Sequence, residues 1–245
     1  MRETAETSSL AAEAYAVVRQ RILRGELVLG QVISRRKLAA ELGMSFLPVS
    51  EALLRLEFEG LLESRPRAGT RVRIPSLEDV KGHYVVREAL EVQAAMLFTV
   101  VATPGERAEL KKLAARVDAL SMQTDRILYL NLHLKLHRRI AECTRCETLC
   151  DAIEKTHALA TIWFCVMRKP LPTDSPTRHQ DLVDTLCGTE PLKAAEAVRE
   201  HIAVGMQHTI EVLEPYFKMR KANGKTFYRS EKKLRKTGFE PLTLN

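Results

Sequence analysis

The residues best placed for chemistry are histidines. The chain of 245 residues has seven, all between positions 83 and 208. His133 and His137 stand four residues apart, so on a helix they share one face. Two imidazoles at that spacing can share one metal ion. Alone, the pair is a weak signal, because His-x-x-x-His more often marks a surface pair or a packed one. It lacks the glutamate of His-Glu-x-x-His, so it gives no support to zinc-dependent hydrolysis. His179 lies in the first turn of a later helix and His201 midway along the last one, while His83, His157 and His208 follow no such pattern. Cys143, Cys146 and Cys150 form Cys-x-x-Cys-x-x-x-Cys. Structural zinc usually draws such pairs from a turn and needs a fourth ligand, so free thiols are the preferred reading and redox sensing the alternative. No nucleophile with a matching base is evident, which leaves a metal-dependent enzyme as a remote alternative.

The elements that must carry these residues are helical. From Leu77 onward the pattern gives helices over Leu77–Val101, from Thr103-Pro104-Gly105-Glu106 (a capping box with proline at the first helical position) to about Met122, and from Thr124-Asp125 through Ile140. Further helices follow from Cys146 to about Met167, from Arg178 to Cys187, and from Glu190 to Glu214, where Pro215 should end the last. No strand pattern interrupts this region.

The first third of the chain is different. Leu10–Arg24 is amphipathic. Leu38, Ala39 and Leu42 make a short apolar face that Gly43 ends, and Ser45 can cap the next helix. Val49, Ala52, Leu53 and Leu56 continue as a second apolar stripe. Two helices joined by Gly-Met-Ser are helix-turn-helix grammar. Leu61–Ser64 and Thr70–Ile74 then read as strands around a basic tip, Arg65-Pro66-Arg67-Ala68-Gly69. A helix-turn-helix with such a wing can place its second helix in a major groove and the wing on the phosphate backbone. Ile74-Pro75-Ser76 marks the boundary between the two parts.

These pieces resemble the N-terminal domain of the GntR family of bacterial transcription regulators: Ile22-Leu23-Arg24-Gly25-Glu26-Leu27, Leu38-Ala39-Ala40-Glu41-Leu42-Gly43-Met44-Ser45, Pro48-Val49-Ser50-Glu51-Ala52-Leu53 and Glu59-Gly60-Leu61-Leu62. The resemblance implies DNA contacts from Arg36, Ser45, Phe46, Leu47, Ser50, Arg65, Arg67, Gly69, Thr70 and Arg71. Where the family commonly has arginines at the start of the recognition helix, this chain has Phe46 and Ser50. Neither can make the bidentate contact by which arginine reads guanine. A changed operator or weakened DNA binding follows as an expectation.

The helices after the wing, opened by Val86-Arg87-Glu88-Ala89-Leu90-Glu91, resemble the C-terminal effector domain of the FadR subfamily of that family. Many such domains bind a divalent metal through an aspartate, a histidine four residues on, and one histidine on each of two later helices. The resemblance therefore implies a metal site at His133, His137, His179 and His201, with His133 where the aspartate usually stands. Four imidazoles favour zinc, nickel or a similar ion. The exchange of Asp for His adds a positive charge and should favour an anionic ligand. The resemblance further implies a small carboxylate effector touching the metal and an arginine, for which Arg87 is the best candidate.

Composition agrees and narrows the classes. An apolar fraction of 45% and 28% charged residues fit a globular protein of two domains. The net charge is +7, and from Lys218 onward nine basic residues face two acidic ones, so the bulk charge says little about DNA and the local pattern says more. The expected organisation is a mobile arm at 1–9, a winged domain at 10–75, an all-helical effector and dimerisation domain at 77–215, and a basic, disordered tail at 216–245. The N-terminus has no signal-peptide pattern, and no apolar run approaches a membrane span, so a cytoplasmic location is expected. Five cysteines, an odd number, suit a reducing compartment. The reading is mainly α: a ligand-responsive regulator, commonly a repressor, acting as a homodimer on double-stranded operator DNA. A metal or metabolite sensor without base readout is the alternative.

Overall fold

The structure is a computed structural model, and it describes residues 2–65, 69–121, 126–166 and 177–222. It divides into two compact units, one of residues 1–74 with 215–245 and the other of residues 75–214.

The first unit opens with helix α1, Arg2–Leu23. The arm expected at 1–9 is thus helical from Arg2, although its side chains are not described. Strand β1, Val32–Ile33, precedes helix α2, Arg35–Leu42. The Ser34 hydroxyl accepts the Lys37 N–H at 3.2 Å and starts α2. Gly43 ends it in the left-handed region at φ 63°, returning its N–H to the last turn. Helix α3, Phe46–Phe58, follows at once. Strands β2, Leu62–Arg65, and β3, Gly69–Val72, form the antiparallel wing, with Leu62 opposite Val72 and Arg65 opposite Gly69. β1 joins the far side of β3, giving the order β1-β3-β2. A two-residue strand carries too short a pattern to be read from sequence.

The core of this unit is the expected one. α1 packs on α3, and Ala14, Val18 and Ile22 of the one and Val49, Leu53 and Leu56 of the other are all buried. Each buried Leu or Ile side chain contributes about 1.5–3 kcal/mol of transfer free energy. At the edge, the Tyr15 hydroxyl donates to Glu59 at 2.8 Å and Arg55 lies over the Tyr15 ring.

Among its described residues the second unit contains only helices and their connections: α4 Leu77–Val101, α5 Pro104–Ser121, α6 Arg126–Glu142, α7 Glu147–Val166, α8 Arg178–Leu186 and the part up to Glu214 of α9 Pro191–Ala222. Ser76 and Asp79 cap α4 reciprocally, at 3.0 and 2.8 Å. Thr103 and Glu106 do the same for α5, as the sequence predicts. The Tyr84 hydroxyl of α4 meets Thr209 of α9 at 2.7 Å and donates to the Gly205 carbonyl at 3.0 Å, tying these helices together.

One expectation fails at Pro215. α9 continues through it to Ala222. A proline removes one backbone donor, a cost of about 3 kcal/mol that tertiary contacts can offset. Beyond it Tyr216 and Phe217 are buried, and the Arg220 guanidinium donates to the Ile74 carbonyl at 2.9 Å. Residues 216–222 are therefore ordered helix within the first unit, while the rest of the expected tail lies outside the described residues.

Candidate functional site

The second unit buries an unusual amount of polar chemistry. His133, His137, His179 and His201 are all buried. α6 contributes His133 and His137 one turn apart, α8 contributes His179 from its first turn, and α9 contributes His201. The ring centroids lie 4.6 Å apart for His133 and His137, 5.0 Å for His133 and His179, 5.4 Å for His137 and His201, and 5.2 Å for His179 and His201. One nitrogen from each of His133, His137 and His201 falls within 4.8 Å of the others. The Nε2 atoms of His133 and His137 are 3.1 Å apart. Two nitrogens bound to one tetrahedral zinc stand about 3.3 Å apart.

Two carboxylates orient the rings. Asp118 of α5 meets His179 Nδ1 at 2.6 Å and accepts the backbone N–H of Gln180 at 2.9 Å and that of His179 at 3.1 Å. Thr177, at the N-cap of α8, makes no side-chain cap bond, so Asp118 serves as the cap from a neighbouring helix. Holding Nδ1–H in this way leaves His179 Nε2 as the acceptor, and that buried atom has no hydrogen-bond partner among the described residues. Glu91 of α4 pairs with His137 Nδ1 at 2.9 Å, which likewise leaves His137 Nε2 facing His133. An imidazole held at one nitrogen by a carboxylate, with the other turned into a shared space, is the arrangement of metal-ligating histidines.

Electrostatics keep the His133, His137 and His201 rings neutral. Burial depresses His137 to a pKa of about 4, although Glu91 opposes the shift. Burial also holds His133 well below its usual value, and the neighbouring imidazoles add to this. His201 is depressed by burial and by Arg178. Neutral imidazole is the form that donates a lone pair to a metal. A small cavity of about 10 Å³ adjoins His137, His201 and Glu91, room for one water. The donor set, the orienting carboxylates and the unpartnered His179 Nε2 together fit a divalent cation.

Arg87 is not open to a ligand in this arrangement. It is buried, and its Nε donates to Glu91 at 2.8 Å. Glu91 also meets His157 Nε2 at 3.2 Å. Burial works against ionising Glu91, but Arg87 and the bonds from His137 and His157 hold its pKa well below the carboxylate range. Glu91, His137 and His157 could geometrically hold an ion. The guanidinium beside Glu91 already supplies the positive charge there, so this triad reads as support for the histidine cluster. Asp118, Glu91 and His157 were not identified from sequence. Asp118 stands alone in α5 with no local motif, whereas Glu91, one turn after Arg87, could have been read as its i, i+4 partner.

The thiols do not assemble. Cys143 is buried with its pKa pushed up to about 11 by burial, and Cys146 is exposed. A raised pKa means less thiolate, the reactive form.

In the first unit Arg36, Ser45, Phe46, Leu47, Arg65 and Gly69 are exposed. The serines of α3 and the two residues on β3 have these settings. The Ser50 hydroxyl donates to the Phe46 carbonyl at 2.8 Å, and Ser45 occupies the N-cap of α3 without a side-chain cap bond. Thr70 and Arg71 are buried at the base of the wing rather than on its surface. Arg71 is ion-paired with Glu63, and Thr70 Oγ1 accepts from Arg35 at 3.1 Å and meets Ser64 Oγ at 2.9 Å. Thr70 and Arg71 lie on opposite faces of β3, the central strand, and both are covered; a basic residue buried there needs a partner. Arg67 lies outside the described residues.

A winged helix-turn-helix followed by a helical unit built around buried histidines defines a two-domain bacterial regulator. The chain belongs to the GntR family: residues 10–72 match the family of bacterial regulatory proteins of the GntR type, and residues 83–204 match the FCD domain, an architecture consistent with the FadR subfamily. It is 28% identical over 77% of its length, and 83% of the relative's, to the "Probable D-xylose utilization operon transcriptional repressor" of Paenarthrobacter nicotinovorans. It is 25% identical to the regulator McbR of Escherichia coli over 77% of this chain and 86% of that protein. Among solved structures, a GntR regulator from Rhodococcus sp. RHA1 superposes with a TM-score of 0.69 at 20% identity, covering 83% of this chain and 98% of that one. These relatives are transcription regulators, and the protein is a regulator of this family, not an enzyme. No helix among the described residues is long and apolar enough to cross a membrane.

Proposed function

We propose that the protein is a cytoplasmic, ligand-responsive repressor that binds a palindromic operator as a homodimer and carries a divalent metal in its helical domain. Two-fold symmetry in the protein would match two half-sites in the DNA. The observation that carries the metal reading is the cluster of four buried histidines, two of them oriented by Asp118 and Glu91. His133, His137, His179 and His201 would hold the ion, and zinc suits four neutral imidazoles best, with nickel the next choice. When bound, the metal supplies a Lewis-acidic centre for an anionic group.

A small carboxylate is the effector class we favour. Arg87 is held by Glu91, so an effector carboxylate reaching it would compete with Glu91 and disturb the hydrogen bond that orients His137. Such competition would link effector, metal and helix packing, and differential affinity of this kind is what an effector must supply to shift DNA binding. Repression is favoured because a relative is named a repressor. The test is metal analysis of protein purified without added metal, alongside operator binding before and after chelation. Zinc near one equivalent, lost in His137→Ala, supports the reading; metal-free protein that gains no stability from added zinc defeats it.

A second reading keeps the helical sensor but removes base readout, because Phe46 and Ser50 stand where the family commonly has arginines. Arginine at both positions would then create sequence-specific binding that the natural chain lacks.

A further inference from the structure

The first turn of α3 exposes apolar side chains where a DNA-reading helix is usually polar. Phe46 is 56% exposed and Leu47 58%, both in the first turn of the helix. Helix-turn-helix proteins contact base edges chiefly through the N-terminal residues of this helix. Of the polar neighbours, Ser50 has its hydroxyl donor committed to the Phe46 carbonyl at 2.8 Å, and Glu51, exposed one turn past Leu47, offers only acceptors and so cannot bond the acceptor edges of guanine. Cations remain at the flanks: Arg36 is exposed on α2 and Arg65 on the wing. They suit phosphate contacts, which position a protein on DNA without reading it.

The chemistry of the groove decides what such a surface selects. Guanine presents two acceptors in the major groove, adenine an acceptor and a donor, and cytosine a donor. A phenyl ring or an isobutyl group pressed on these edges removes their water and returns no hydrogen bond. Thymine alone offers an apolar group there, its C5-methyl. We infer that Phe46 and Leu47 read thymine methyl groups, so that the operator half-site carries thymine at the start of α3, where an arginine in place of Phe46 would select guanine.

This rests on the DNA-binding reading above, and one set of experiments separates the two. Full-length protein is used to select duplexes from a random pool at physiological salt. Each thymine of the selected site is then replaced by uracil, which pairs identically and lacks only the methyl. The expected result is about a fourfold loss of affinity at each contacted thymine, the equivalent of about 0.8 kcal/mol for one methyl-sized group. Phe46→Ala or Leu47→Ala should erase that thymine–uracil difference. Phe46→Arg should move the selected base to guanine. A specific site indifferent to uracil at every position overturns thymine readout while leaving sequence-specific DNA binding intact. Sequence-blind binding overturns both, and an apolar face would then point to a protein partner.

Discussion

The two units invert the usual rule of burial in opposite directions. The helical unit buries what is normally exposed: His133, His137, His179, His201, Asp118, Glu91 and Arg87 are each at most 8% exposed. The winged unit exposes what is normally buried, with Phe46 and Leu47 more than half open and Phe58 96% exposed. Buried polar groups and exposed large apolar groups are the informative departures from ordinary packing. The first is held by reciprocal hydrogen bonds and costs free energy if any member is lost. The second contributes nothing to folding and so is free to serve recognition. The difference teaches that changes to the buried groups of the helical unit bear on its stability, whereas the exposed apolar groups of the winged unit can change at little cost to folding.

The largest effect that could break this comparison is expected at Arg87. Arg87→Met leaves Glu91 buried with one cation fewer, and a broken buried ion pair costs about 3–5 kcal/mol. Trp163, the single tryptophan, is buried in the helical unit, so urea unfolding followed by its fluorescence reports that unit directly. A loss below about 1 kcal/mol would mean that water already reaches Glu91. Next comes Asp118→Asn, which should weaken zinc binding by about 10- to 100-fold, as loss of an orienting partner does elsewhere. Competition against a chromophoric chelator measures it, and an unchanged affinity would remove His179 from the ligand set.

The pH dependence of chelator-treated protein sharpens the point. His83 and His137 are each depressed to about 4 by burial. Both are neutral in either state above about pH 6.5, so they add no pH dependence there. As pH falls below that, the unfolded chain binds protons that the folded one does not. Each residue then removes about 1.4 kcal/mol per pH unit until its folded pKa near 4 is reached. His133 and His201, also held well below their usual value by burial, act in the same direction. Unfolding midpoints between pH 8 and pH 4 should therefore fall toward acid, and flat stability across that window would contradict neutral burial.

Smaller effects belong to the winged unit. Gly43→Ala forces a Cβ into the left-handed conformation at φ 63°. With nothing within 4 Å of that Cβ, backbone strain is the whole cost, about 1 kcal/mol in thermal unfolding. Phe46→Ser should change stability by no more than about 0.5 kcal/mol, because the ring is largely exposed. A larger loss would show that Phe46 packs after all, and would weaken its assignment to recognition.

Much of the fold was legible because it depends on local signals. Ser34, Gly43 and the Thr103–Glu106 box mark helix ends through their own backbone bonds, and the stripes of α1 and α3 are buried as their spacing predicts. Pro215 misled because a local penalty was outweighed by non-local burial of Tyr216 and Phe217. Thr70 and Arg71 misled for a related reason: a basic hairpin reads as exposed, and only the pairing of β3 with both β1 and β2 shows that it is the central strand, covered on both faces at these positions.

The site divides along the same line. Sequence alone determined that His133 and His137 share a helix face and that Phe46 and Ser50 open the recognition helix, since both follow from helical period and the Gly-Met-Ser turn. The family resemblance already grouped His179 and His201 with them; only tertiary structure decided that Asp118 from a distant helix holds His179 and that Glu91 ties Arg87 to His137. Those contacts cross helices 61 and 46 residues apart in the case of Asp118 with His179 and Glu91 with His137. No periodicity within one helix encodes a neighbour on another; it is set by how the helices pack around the core they share.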